Sequence, residues 1–122
     1  MVTIKAFTSV EQSLKLAEIL PLESADMKIL PFTEREYRVV PINDIAVCGR
    51  EDEICAWSLA ALLDVLPDES EDNHFLTLSK EGAEYCCCYE DINGNSFRHT
   101  FADNPIDACV NMIMSLNELK ML

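Results

Sequence analysis

The side chains in this 122-residue chain with the most chemistry to offer are six cysteines and two histidines. Cys86, Cys87 and Cys88 are consecutive, Cys48, Cys55 and Cys109 are scattered, and the histidines are His74 and His99. A structural zinc site takes four ligands, commonly two pairs separated by a few residues. No such pair of pairs occurs here, so no metal ligand is assigned. Disulfides are not expected either. Neighbouring residues on a strand point to opposite faces, so the cysteine run reads as a strand with Cys86 and Cys88 on one face and Tyr85, Cys87 and Tyr89 on the other. All six thiols are expected to be reduced and to pack as small apolar groups.

A nucleophilic thiol needs a base in contact and a group to orient that base. His99 on the following strand is the candidate base for Cys87, but it alternates with Phe97 and Phe101. That face is therefore expected to close into a core, with His99 buried and neutral. His74 follows an acidic loop and is expected to be exposed. Asp68, Ser70 and Asp72 have the look of a calcium loop, but the central glycine and closing glutamate are not at the required spacing. No phosphate-binding glycine loop, dinucleotide fingerprint or nucleophile elbow is present. The expectation is a protein with no catalytic residue, no cofactor site and no metal site. A small enzyme with a diffuse site is one alternative.

The elements that would hold these residues follow from capping and periodicity. Ser9 and Gln12 have the form of a capping box, opening a helix to about Leu20 that Pro21 ends. Its inner side is expected to carry Val10, Leu14 and Ala17. Ser24 to Met27 adds a further turn, and Tyr37 to Val40 a short strand. The run from Ile54 to Leu66 is apolar on nearly every face and reads as a buried helix. Phe75 to Ser79, Ala83 to Glu90 and Ser96 to Phe101 read as three strands, the last two joined by a turn containing Asn93-Gly94. Asn104 caps the last helix, with Pro105 at its first position and Ile106, Cys109, Val110, Ile113 and Leu116 on its inner face. The expected fold is α+β: one domain over residues 1–122, a three-stranded antiparallel meander packed on about three helices as a two-layer sandwich. Trp57, Leu59, Leu62, Leu63, Phe97, Phe101, Ile113 and Leu116 are its expected core.

Charge narrows the choice of partners. Twenty-two acidic residues against nine basic ones give a formal net charge of −13. Binding to a phosphate backbone works through Lys and Arg that release counterions, so nucleic acid is excluded as a partner. An anionic membrane surface is excluded in the same way, and no apolar run approaches the roughly 20 residues of a membrane span. The N-terminus lacks the pattern of a secretory leader, so the expected compartment is the cytoplasm. Acidic residues cluster at Glu51-Asp52-Glu53, at Asp68-Glu69 with Glu71-Asp72, and at Glu90-Asp91, all read as solvated. The expected partner is a protein, of basic surface. Blocking a nucleic-acid-binding groove by mimicry is a second alternative.

Three segments carry a resemblance. They are Glu11-Gln12-Ser13 through Ser24-Ala25-Asp26-Met27, Ala56-Trp57-Ser58-Leu59-Ala60-Ala61-Leu62-Leu63 through Pro67, and Asp103-Asn104-Pro105-Ile106-Asp107-Ala108-Cys109 through Leu119. In that order they resemble a group of small uncharacterised proteins carried by prophages and other mobile elements of gut anaerobic bacteria. The resemblance covers most of the chain and implies that genomic setting, with no activity and no site residues to transfer; the expected function is that of a non-enzymatic accessory protein acting by protein–protein contact. The order helix, three strands, helix is also similar to a double-stranded RNA-binding domain. There the final helix starts with lysine, whereas here it starts Asn104-Pro105-Ile106-Asp107.

Overall fold

The computed structural model describes residues 5–31, 37–41, 54–69 and 73–122, with the backbone alone for residues 31 and 37–40. Cys48, Arg35, the Glu51-Asp52-Glu53 cluster, Ser70, Glu71 and Asp72 lie outside the described residues. The chain divides into two compact units. The first is residues 6–61, and the second is residues 62–122 with the N-terminal stretch ending at Lys5.

The first unit opens with α1 (Val10–Ile19). The capping box forms as expected: the Gln12 N–H donates to Ser9 Oγ at 3.2 Å, and the Ser9 N–H donates to Gln12 Oε1 at 3.0 Å. The buried stripe is not the expected one. Ser13 and Leu16 face inward with Leu20, whereas Leu14 is 54% exposed and Ala17 is exposed. Ser13 goes inside because its hydroxyl shares a hydrogen bond of 2.8 Å with the buried Thr8 hydroxyl. A polar group with a partner does not carry the desolvation penalty that normally keeps serine outside.

A turn of 3-10 helix at Leu22–Ser24 leads into β1 (Met27–Pro31). β1 is the centre of an antiparallel sheet, with β2 (Tyr37–Pro41) on one side and β3 (Ile54–Ala56) on the other. Ile29 lies opposite Val39 and Ile54, and Met27 opposite Pro41 and Ala56. This second sheet corrects the expected helix from Ile54. Three residues of the apolar run pair with β1 instead, and α2 (Leu59–Val65) starts only after Ser58. Asp26 sets that boundary. Its carboxylate accepts the Ser58 N–H at 2.8 Å and also the Ser58 hydroxyl, whose oxygen in turn accepts the Ala61 N–H at 3.3 Å.

The second unit contains the meander. β4 (Phe75–Glu81), β5 (Glu84–Glu90) and β6 (Ser96–Ala102) pair antiparallel in sequence order. Gly82, at φ +64, opens the two-residue turn between β4 and β5, where a side chain would be strained. The β5–β6 turn is held by Asp91, whose Oδ1 accepts the N–H groups of Asn93 and Asn95, each at 2.9 Å. α3 (Pro105–Glu118) packs on β5 and β6. Asn104 accepts the Asp107 N–H at 2.8 Å as its cap. The α+β class and the three-stranded antiparallel meander are therefore as expected.

Trp57 in the first unit and Leu62, Ile113 and Leu116 in the second are buried, as expected. Leu59 and Leu63 are half-buried. Phe97 and Phe101 are exposed, which corrects their place in the core, and His99 is exposed too. The face toward α3 is the other one. There Thr100 donates its hydroxyl to the Ala108 carbonyl at 2.8 Å. A short threonine lets the helix approach where a phenylalanine would hold it off.

Candidate functional site

The strand register sorts the second unit's chemistry onto two sheet faces. Cross-strand partners share a face, and side chains alternate along each strand. Leu76, Leu78, Tyr85, Cys87, Tyr89, Arg98 and Thr100 therefore lie on the α3 side. Phe75, Thr77, Ser79, Glu81, Glu84, Cys86, Cys88, Glu90, His99 and Phe101 lie on the outer side.

This sorting separates the expected nucleophile from its base. Cys87 is opposite Thr100, while His99 is opposite Cys88. Cys87 instead meets the Cys109 thiol on α3 in a hydrogen bond, both side chains being wholly buried. That contact raises the Cys87 pKa, burial raises it further, and the same contact draws Cys109 down. Neither thiol is reachable from solvent.

The outer face is chemically quiet at its centre and apolar around it. Cys86 and Cys88 are screened from water by larger neighbours. Burial pushes the Cys88 thiol up to about 12, aided by the hydrogen bond it donates to Glu90 Oε1 at 3.3 Å. Desolvation raises Cys86 as well. Both thiols stay protonated at neutral pH and are poor nucleophiles and poor ligands. Around them Phe75 is 44% and Phe101 46% exposed. His99 packs its ring edge-on to Phe101 at 5.3 Å between centroids. Exposed Glu81 and Glu84 close one end of the face, and Glu90 is opposite Phe75 at the other.

A cavity of about 380 Å³ opens elsewhere on this unit. Tyr89, Phe97, Leu116 and Pro67 form its apolar wall, and Glu69, Lys120 and Met121 complete it. Phe97 reaches it through a β-bulge: Tyr89 pairs with Arg98 but Glu90 with Ser96, which leaves Phe97 unopposed. The alternation expected for Phe97, His99 and Phe101 is broken there. His74, expected to be exposed, is half-buried with its ring 5.9 Å from that of Phe97. The walls are anchored. The Tyr89 hydroxyl donates to the Pro67 carbonyl at 2.7 Å, and Glu69 bridges antiparallel to Phe75. Lys120 sits at φ +58 just past α3, where its N–H donates to the Asn117 carbonyl and that of Met121 to the Leu116 carbonyl. This is a Schellman ending, with lysine in place of the usual glycine.

Among the described residues, no three His, Cys, Asp or Glu side chains are grouped so as to hold a metal ion. None of the helices described is long and apolar enough to cross a membrane. Glu90 and Asp91 keep contact with water and each also has a partner: Glu90 accepts the Cys88 thiol, and Asp91 holds a turn. Sequence reasoning passed over the exposed Phe75 and the whole cavity. The available signals were the long Asp91–Asn95 turn, which accompanies a bulge, and a chain that runs past the last helix with lysine and methionine. Compared with known proteins, the chain matches no family model, no curated protein and no solved structure.

Proposed function

We propose that this chain is a non-enzymatic cytoplasmic protein that acts by binding another protein through the outer face of the β4–β5–β6 sheet. The observation that carries the reading is the combination on that face of two exposed phenylalanines with carboxylates at both ends. The partner it fits has an apolar centre fringed with Lys or Arg. The phenylalanines would supply the apolar contact, and the glutamates would set orientation and speed encounter. Phe75 and Phe101 favour this over mimicry of a nucleic acid, which would call for charge without an apolar centre. The raised pKa values of Cys86 and Cys88 speak against thiol catalysis there. An accessory role on a phage or mobile element is the setting we propose, on the resemblance of the three sequence segments.

The test is affinity capture with the tagged chain, comparing wild type with Phe75→Glu, Phe101→Glu and a control Leu14→Glu. A basic protein retained by wild type and by the control, released by added salt and lost with either phenylalanine variant, is the expected result. Retention of the same partner by the phenylalanine variants, or no retained protein at all, overturns the assignment.

A further inference from the structure

We propose that the cavity walled by Tyr89, Phe97 and Leu116 binds a small zwitterion with an apolar body, of which a free aromatic or aliphatic α-amino acid is the simplest form. This site is distinct from the outer sheet face, so the proposal stands apart from the reading above.

Its volume of about 380 Å³ lies in the range of small-molecule pockets, roughly 300–1,000 Å³. The wall is apolar or aromatic apart from two charges of opposite sign, Glu69 and Lys120. Neither takes part in an ion pair among the described residues. Two opposite charges that border one cavity without meeting each other match a ligand carrying one charge of each sign. Lys120 would take the carboxylate and Glu69 the ammonium. The Tyr89 hydroxyl is already committed to the Pro67 carbonyl, so Tyr89 offers its ring. The rings of Tyr89 and Phe97 with the Leu116 and Met121 side chains would receive the apolar body. Arg98, the cross-strand partner of Tyr89, carries a guanidinium charge that adds positive potential on the side facing α3, and its buried Nε has no hydrogen-bond partner.

The geometry of the wall favours a ligand site over a random gap. Tyr89 holds the backbone at Pro67, the bridge to Phe75 holds it at Glu69, and the Schellman ending holds it at Lys120 and Met121. A site held by backbone contacts does not have to be ordered by its ligand, which lowers the entropic cost of binding.

Calorimetric titration of the whole chain tests this. The probes are L-phenylalanine, L-leucine, L-serine, 2-phenylethylamine and 3-phenylpropionate. L-Phenylalanine or L-leucine is expected to bind with a Kd of about 1 mM or tighter, with the two single-charge analogues and serine about tenfold weaker. Lys120→Met should remove the advantage of the amino acid over the amine, and Glu69→Gln its advantage over the acid. Both residues are exposed, so the variants should keep the wild-type circular dichroism spectrum. No saturable binding of either apolar amino acid at ~10 mM, single-charge analogues that bind as tightly as L-phenylalanine, or binding unchanged in both variants would overturn the proposal.

Discussion

Thr8 and Trp57 exchange two hydrogen bonds: the Thr8 N–H donates to the Trp57 carbonyl at 3.0 Å, and the Thr8 hydroxyl accepts the Trp57 N–H at 3.1 Å. The same hydroxyl contacts Ser13 on α1, and all three residues are inaccessible to water. This pairing joins the start of α1 to the end of β3, across 49 positions of sequence. Thr8→Val keeps the shape and deletes the hydroxyl, leaving the Trp57 N–H and the Ser13 hydroxyl buried without that partner. The expected cost is about 1–3 kcal/mol, read as a lower urea midpoint by the fluorescence of Trp57, the single tryptophan. Adding Ser13→Ala should cost less on the Thr8→Val background than on wild type, since the orphaned hydroxyl is then gone.

A pair of leucines separates the two readings of the helices. Leu62 is fully buried, and Leu62→Ala should cost about 2–5 kcal/mol, the range for deleting a packed leucine. Leu14, placed inside by periodicity alone, is mostly exposed. Leu14→Ala should stay within about 0.5 kcal/mol of wild type. A large loss at Leu14 would restore the original stripe and contradict the observed packing of α1.

Asn104 serves α3 twice, accepting the Asp107 N–H and donating Nδ2 to Asp107 Oδ2, each at 2.8 Å. Asp107 also pairs with Lys5 at 2.7 Å. Asn104→Ala should cost about 1 kcal/mol, the usual value of a side-chain cap. Asn104→Ser should recover most of it, because a hydroxyl can still accept the Asp107 N–H. The half-exposed Lys5 pair should contribute less, at most about 1 kcal/mol, and should weaken with salt.

These sites mark how far the sequence could be read. Local signals transferred well: the Ser9 and Asn104 caps, the Asn93-Gly94 turn and the inner stripe of α3 all rest on contacts within a few residues. Which side of an element faces inward was legible only where one side was plainly polar. On α1 the inward residue is Ser13, whose partner Thr8 pattern counting cannot see. On β6 both faces carry plausible core residues, and α3 settled on the side with Thr100 rather than the one with His99 and Phe101. β3 was misread because an apolar run such as Ile54-Cys55-Ala56-Trp57 suits a buried strand as well as a helix. Its choice depends on β1 and Asp26, about 30 residues earlier. The cavity could not be assembled from its scattered signals, since it depends on a bulge at Phe97 and on where the chain turns after α3.

The outer-face thiols give the fold a dependence on alkaline pH. In an unfolded chain a cysteine ionises near pH 8.5. In the native sheet desolvation pushes Cys88 up to about 12 and also raises Cys86. Above about pH 8.5, the unfolded chain releases protons that the native one retains, so unfolding becomes more favourable as pH rises. The thiols' contribution to stability is therefore complete below the unfolded value and is lost progressively as pH climbs toward about 12. The melting temperature should fall with pH across that interval. Cys86→Ala with Cys88→Ala should flatten the fall without removing it, because burial also raises Tyr89 and the Cys109 contact raises Cys87. Since the thiolate is the reactive form, iodoacetamide at mildly alkaline pH should modify the native chain at Cys86 and Cys88 far more slowly than the urea-unfolded chain. Equal rates in the two states, resolved by peptide mass mapping, would mean that the outer face leaves its thiols ionised and open to water.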